Sequence, residues 1–272
     1  MAIYKPTELR DFLNELGISP KKVLSQNFLI DGNIVRKIVK SADVVLGDVV
    51  LEIGPGPGSL TEALLAEGAT VVAVERDNVL SEALKRLIVE PGKLHIYCED
   101  IMEFPIEETL RSLLRPGQKA KIIANLPYHL TTAIITQLID MHELIESMTL
   151  MVQEEVARRF TAQTHTKDYG SLTVFLNFYA SVKMAFKVSN QCFFPVPKVT
   201  SAVVVFKLKP PPAEIKDVIA FFKMTRAGYA HRRKVLRSSL KSLYDPEVLV
   251  SALEIMGMPL ARPEELSLEQ FM

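Results

Sequence analysis

The chain has 272 residues, 48% of them hydrophobic and 24% charged, a balance that supports a folded core and excludes a disordered chain. No apolar run approaches the roughly 18 residues a membrane helix requires, and the opening MAIYKPTELR lacks the apolar core of a secretory leader, so a cytoplasmic protein without a membrane partner is expected. Lys and Arg total 32 and Asp and Glu 32, and this zero net charge argues against a uniformly basic chain.

From Asp48 onward, short apolar runs alternate with amphipathic stretches. Strands are predicted at Val49–Ile53, Thr70–Val74, Leu94–Cys98, Lys121–Ala124 and Met148–Val152. Helices are predicted at Ser59–Glu67, Asn78–Leu87 and Thr131–Asp140, and the alternation implies an α/β fold with a doubly wound, mostly parallel sheet. The runs VVLEI, TVVAV and KIIAN are continuously apolar, as strands covered on both faces must be. Further on, Glu154–Thr161 reads as a helix, Ser171–Tyr179 is ambiguous, and Val182–Val188 and Ser201–Lys207 read as a late antiparallel hairpin. The triple proline Pro210–Pro212 breaks the chain, and Glu214–Arg226, Arg232–Leu243 and Pro246–Met256 read as helices. Two domains are therefore expected, residues 1–209 and a small helical one at 210–272.

Charge is unevenly placed. Between Ala180 and Asp245 lie thirteen Lys and Arg but three Asp and Glu, so ten positive charges there face ten negative ones elsewhere. A basic segment on an acidic body is the footprint of a polyanion partner. Cys98 and Cys192 stand far apart without ligand spacing and read as inert thiols, so no metal site is expected.

Ligands of open parallel sheets bind beyond the carboxyl ends of the strands. The first predicted strand runs into Gly54-Pro55-Gly56-Pro57-Gly58, where missing side chains let a ligand approach the backbone. The spacing is neither that of dinucleotide folds nor that of phosphate loops, and no lysine follows it. Glu75 ends the next strand, 21 residues beyond Gly54, where an acid can accept ribose hydroxyls. Asp100 follows after 25 residues, placed to accept an adenine amine, and Asn125 after another 25. Together these positions fit an adenosyl ligand that carries no phosphate. S-adenosylmethionine is the candidate.

Asn125-Leu126-Pro127-Tyr128 is the sharpest motif. An aromatic amine is a poor nucleophile because its lone pair is delocalised into the ring. The Asn125 side-chain oxygen and the Leu126 carbonyl can hold such an amine in line with a methyl sulfonium. Pro127 stiffens the turn, and Tyr128 offers a face on which an extruded base stacks. No general base is required, since the proton becomes acidic once the methyl has arrived.

The motifs Ser25-Gln26-Asn27-Phe28-Leu29, EIGPGPGSLT, VAVERD, Glu99-Asp100, NLPY, QEEVARRF, YGSL and FFPVPKVTSAVV resemble, in order, those of the small-subunit ribosomal RNA adenine dimethyltransferase family, from about Lys22 to Leu240. The resemblance implies a Rossmann-like methyltransferase sheet. It also implies double methylation of two neighbouring adenosines near the 3′ end of small-subunit ribosomal RNA, during assembly of the subunit. It places cofactor contacts on Asn27, Leu29, Gly54, Glu75, Asp100 and Asn125, with Gly56 in the same loop. Base-holding residues fall on Asn125, Leu126 and Tyr128, with Phe193 a candidate for the opposite face of the adenine. Arg232-Arg233-Lys234 and Lys198 are the candidate RNA contacts, and a monomer working on a partly assembled subunit is expected. Leu24-Ser25 and Val196 depart from the family's usual aromatic-Gly and Pro, which loosens the expected shape of those loops.

Other readings differ in substrate or in class. A large-subunit adenine methylase of the macrolide-resistance type shares the glycine loop and NLPY, whereas DNA adenine methylases usually carry D-P-P-Y. A binding factor that kept the fold and lost activity has no need of Gly54, Glu75, Asp100, Asn125 and Tyr128 together.

Overall fold

A computed structural model describes residues 3–21, 24, 26–231 and 234–272. In chain order, α1 (Pro6–Glu15) precedes a two-residue strand, β1 (Phe28–Leu29), and α2 (Gly32–Ser41). The alternating region holds β2 (Val49–Ile53), α3 (Ser59–Ala66), β3 (Thr70–Val74), α4 (Asn78–Ala83), β4 (Leu94–Tyr97), α5 (Ile106–Leu113), β5 (Ala120–Asn125), α6 (Thr131–Leu138) and β6 (Ile145–Gln153). Then come α7 (Glu154–Phe160), α8 (Ser171–Tyr179), β7 (Ala180–Val188), β8 (Phe193–Phe194) and β9 (Ser201–Leu208). The C-terminal helices are α9 (Val218–Tyr229), α10 (Leu236–Leu240), α11 (Pro246–Ile255) and α12 (Leu268–Phe271).

Seven strands form one sheet in the order β4-β3-β2-β5-β6-β9-β7. Strands β2 to β6 pair in parallel and β9 runs antiparallel to β6, with β7, its expected hairpin partner, next to it at the sheet edge. Every residue of β2 is buried, the consequence of covering a parallel strand on both faces. Because β2 has β3 on one side and β5 on the other, the chain order reverses there. The crevice beyond the carboxyl ends of β2 and β5 is thus the topological switch point, where such sheets bind ligands.

Two features orient the segment that closes this crevice. Asp31 caps α2 by accepting the Asn33 and Ile34 N–H groups at 2.8 and 3.2 Å, a contribution of about 1 kcal/mol. Antiparallel pairing of β1 with β8 sets Phe28 opposite Phe194 and Leu29 opposite Phe193.

The chain packs as two units, Met1–Ala157 with Lys183–Leu208, and Arg158–Val182 with Lys209–Met272. The second thus includes residues 158–182, which the sequence pattern assigned to the first. Aromatic packing explains it: Phe178 stacks on Phe221 with centroids 5.2 Å apart, and Phe175 meets Phe222 edge-on at 5.1 Å. Ser171–Tyr179, ambiguous in sequence, is helical because it buries Val174, Leu176 and Phe178.

Candidate active site

One pocket opens over the ends of β2, β3 and β5 and over the Asp100 turn after β4. It is lined by Asn27, Leu29, Gly54, Gly56, Glu75, Asp100, Asn125, Leu126, Pro127 and Tyr128. Every residue expected to hold the cofactor, and the whole of NLPY, therefore meets in one place.

The glycine loop shapes the floor. Gly54 has φ +65, and a Cβ built there meets nothing within 4 Å, so the space above it stays open to a ligand. At Gly56, φ +56, a Cβ would touch the Phe28 ring at 3.0 Å, so the loop and β1 approach through a missing side chain. The Gly56 N–H donates to Glu75 Oε2 at 2.9 Å and the Asp77 N–H to Oε1 at 2.9 Å. Burial pushes the Glu75 carboxyl up, opposed by these N–H groups and reinforced by the Asp77 charge.

Asp77 links the wall to its cover. Its carboxylate pairs with Lys21 at 2.8 Å and accepts from the Gln26 side chain at 3.1 Å, one residue before Asn27. Burial raises the Asp77 carboxyl, but the Lys21 and Gln26 hydrogen bonds outweigh it and the net shift is downward. Asp100 accepts the Met102 N–H at 3.0 Å and pairs with Arg76 at 3.1 Å.

At the end of β5 the Asn125 amide donates to the Asn27 carbonyl at 3.1 Å, which commits its nitrogen and leaves Oδ1 as an acceptor. Leu126 is buried and its N–H donates to the Met151 carbonyl at 3.2 Å. The Pro127 carbonyl accepts from the Leu130 N–H at 3.0 Å and the Thr131 hydroxyl at 3.3 Å, which fixes the turn into α6. Tyr128 and Ser201 share a hydroxyl hydrogen bond of 2.9 Å. Burial raises the Tyr128 phenol while Ser201 pulls the other way, so the ring stays a neutral surface.

Phe193 corrects the sequence expectation. It is 1% exposed and packs in the sheet core with Leu29, Val188 and Val203, so neither face is open to a base. Register is the cause: pairing opposite Leu29 turns it inward, while its neighbour Phe194 lies under the Arg10 guanidinium at 5.0 Å. Lys198 and Lys234 are exposed, and Arg232 and Arg233 lie outside the described residues. Ser25 also lies outside them. Among the described residues no cluster of His, Cys, Asp and Glu has metal-binding geometry.

Sequence reasoning did not single out Glu52, Asp77, Arg76 or Ser201. Glu52 lines the pocket yet is 1% exposed, and its Oε2 makes no hydrogen bond. Burial pushes its carboxyl up to about 8, opposed by Thr61 and reinforced by the Glu75 charge. The signal was an acid within the otherwise apolar run VVLEI.

Residues 18–263 match the family model described as ribosomal RNA adenine dimethylase. This chain belongs to the ribosomal RNA adenine dimethylase family. A protein of Protochlamydia amoebophila named ribosomal RNA small subunit methyltransferase A is 60% identical over 272 residues, spanning 100% of this chain and 95% of that one. Its namesake in Chlamydia felis is 46% identical over 270 residues, 98% of this chain and 93% of that protein. A solved dimethyladenosine transferase from Plasmodium falciparum superposes with a TM-score of 0.75 at 25% identity, covering 90% of this chain and 94% of the other. The 23S rRNA methyltransferase ErmE gives 0.71 at 26% identity, covering 90% and 96%. The chain is accordingly a ribosomal RNA adenine methyltransferase of Rossmann-like fold that uses S-adenosylmethionine. The residues present fit that donor: Gly54 leaves the floor open, and both oxygens of the buried Glu75 are fixed in the pocket wall by backbone N–H groups.

Proposed function

We propose that this enzyme dimethylates the exocyclic amines of two neighbouring adenosines near the 3′ end of small-subunit ribosomal RNA, acting as a cytoplasmic monomer on partly assembled subunits. The observation that carries the chemistry is the Asn125–Asn27 hydrogen bond, which presents the Asn125 oxygen as an acceptor beside the Leu126 turn. The substrate assignment is supported by the names of full-length relatives at 60% and 46% identity.

In this reading Glu75 holds the ribose, Asp100 the adenine amine of the donor, and Asn27, Leu29 and the Gly54–Gly56 floor enclose it. Bound S-adenosylmethionine supplies an electrophilic methyl on a sulfonium. The target adenine stacks on Tyr128, whose ring edge is tied to Ser201. Its amine donates to Asn125 Oδ1 and the Leu126 carbonyl, which orients the nitrogen lone pair and favours a tetrahedral nitrogen. Positioning and fixed dipoles carry the rate. The same acceptors serve a second methylation, since a monomethylated amine still has one N–H to donate. Lys198, together with the Arg232-Arg233-Lys234 run of the helical C-terminal domain, neutralises phosphate and carries no sequence specificity. The test is nucleoside analysis of small-subunit RNA after reaction. N6,N6-dimethyladenosine at neighbouring positions is expected, and a product that stops at the monomethyl stage contradicts the reading.

A further inference from the structure

Residues 195–200, between β8 and β9, are exposed apart from Pro197, and Pro195 and Pro197 bring no N–H groups to the loop. Side chains from outside hold it. The Asn190 amide donates to the Pro197 carbonyl at 3.2 Å. At the other end Glu154 holds Thr200 twice. Its N–H donates to the Thr200 carbonyl at 3.0 Å, and its carboxylate accepts the Thr200 hydroxyl at 2.5 Å. The second carboxylate oxygen pairs with Lys187 of β7 at 2.8 Å. Glu154 is the first residue of α7, directly after β6, and its side chain is 17% exposed against 65% for Lys187. Ion pairs with one such exposed partner contribute little to stability, so the effect of this arrangement lies in what it positions.

The residue after Thr200 belongs to the site. Ser201 is fully buried, pairs with Gln153 in the β6–β9 register, and shares its hydroxyl hydrogen bond with Tyr128 at 2.9 Å. Glu154 therefore holds the residue immediately before the group that steadies the Tyr128 ring. Tyr128 lines the pocket, and Glu154 stands behind it, one contact further out. We propose that Glu154 is a positioning residue for the target base: it fixes Thr200, Thr200 fixes the Ser201 hydroxyl, and that hydroxyl sets the tilt of Tyr128. This role rests on Tyr128 being the platform for the adenine. It concerns the RNA side of the pocket, so donor affinity is left as it is.

The experiment is steady-state methyl transfer to unmethylated small ribosomal subunits by full-chain variants, with S-adenosylmethionine binding followed by calorimetry. Glu154→Ala and Thr200→Val should each lower kcat/KM for RNA a few-fold, as Tyr128→Phe does, with donor Kd unchanged. Glu154→Gln and Thr200→Ser, which keep the acceptor oxygen and the hydroxyl, should restore it. Because these contacts act in series, Glu154→Ala combined with Tyr128→Phe should lose no more than Tyr128→Phe alone. A purely structural effect would instead multiply the two losses. Multiplied losses, wild-type kcat/KM in Glu154→Ala, or a matching loss of donor affinity overturn the role of Glu154 while the platform stands. So does failure of both Glu154→Gln and Thr200→Ser to restore activity. Equal activities of Tyr128→Phe and Tyr128→Ala, or no transfer by wild type, overturn the platform reading and this role with it. Should Glu154→Ala fail to fold, Thr200→Val and Thr200→Ser in the exposed loop decide, alone and combined with Tyr128→Phe.

Discussion

The Asn125 side chain donates to the Asn27 backbone carbonyl across 3.1 Å, although the two residues are 98 apart in the chain. This bond joins the NLPY turn after β5 to the Asn27 segment of the pocket lining. Asn125→Ala should therefore lower kcat by about a hundred- to a thousandfold, the usual cost of one fixed transition-state dipole. Donor affinity should fall but stay measurable by calorimetry. Full activity in that variant sinks the proposed site.

Tyr128 separates stacking from anchoring. Tyr128→Phe loses the 2.9 Å bond to Ser201 but keeps the ring, and a loss of a few-fold in kcat/KM is expected. Tyr128→Ala removes the platform, worth about 1–3 kcal/mol per stacked base. Equal activities for the two variants would show that the ring face is not used.

Phe193 behaves as core. Phe193→Ala should cost about 3–5 kcal/mol in thermal or denaturant unfolding, because a buried ring is removed from a packed sheet. Phe193→Leu should keep KM for RNA near the wild-type value. A large rise in KM with unchanged stability would restore the stacking role.

The sheet was legible because parallel strands buried on both faces have to be almost wholly apolar, as TVVAV is and, apart from Glu52, VVLEI is. Strand ends then placed Gly54, Glu75, Asp100 and Asn125 in register, and the structure puts them in one pocket. What sequence could not place depends on long-range pairing. The inward turn of Phe193 follows from its register against Leu29, and residues 158–182 leave the first unit through aromatic contacts made with a helix some forty residues later. The lone charge in β2 was visible, but that no ion pair meets it among the described residues was not, since that depends on where Arg76 and Lys21 turn.

Stability should depend on pH through Glu52. Its carboxyl moves from an ordinary 4.5 to about 8 on folding, so between those values the folded state holds a proton that the unfolded chain has released. Its contribution is full below about 4.5 and is lost as pH rises through about 8. Thermal melts of the donor-free protein should show falling Tm across that window. Glu52→Gln should flatten the slope in part, with Glu75 keeping its own share because burial shifts it the same way. A slope identical in wild type and variant would contradict the assignment.

RNA affinity should carry the charge of the basic tail. Replacing Arg232, Arg233 and Lys234 together should weaken binding and reduce the slope of log K against log salt by about 0.7–0.9 for each phosphate no longer neutralised. An unchanged slope, measured by filter binding over a salt series, would show that these residues do not meet phosphate.

The most direct test is methyl transfer from labelled S-adenosylmethionine to unmethylated small ribosomal subunits, with unmethylated large subunits in parallel and Asn125→Ala as control. Label confined to the small subunit, ending at two doubly methylated adenosines and absent in the control, is expected. Label on the large subunit alone, or none on either while the donor still binds, would contradict it.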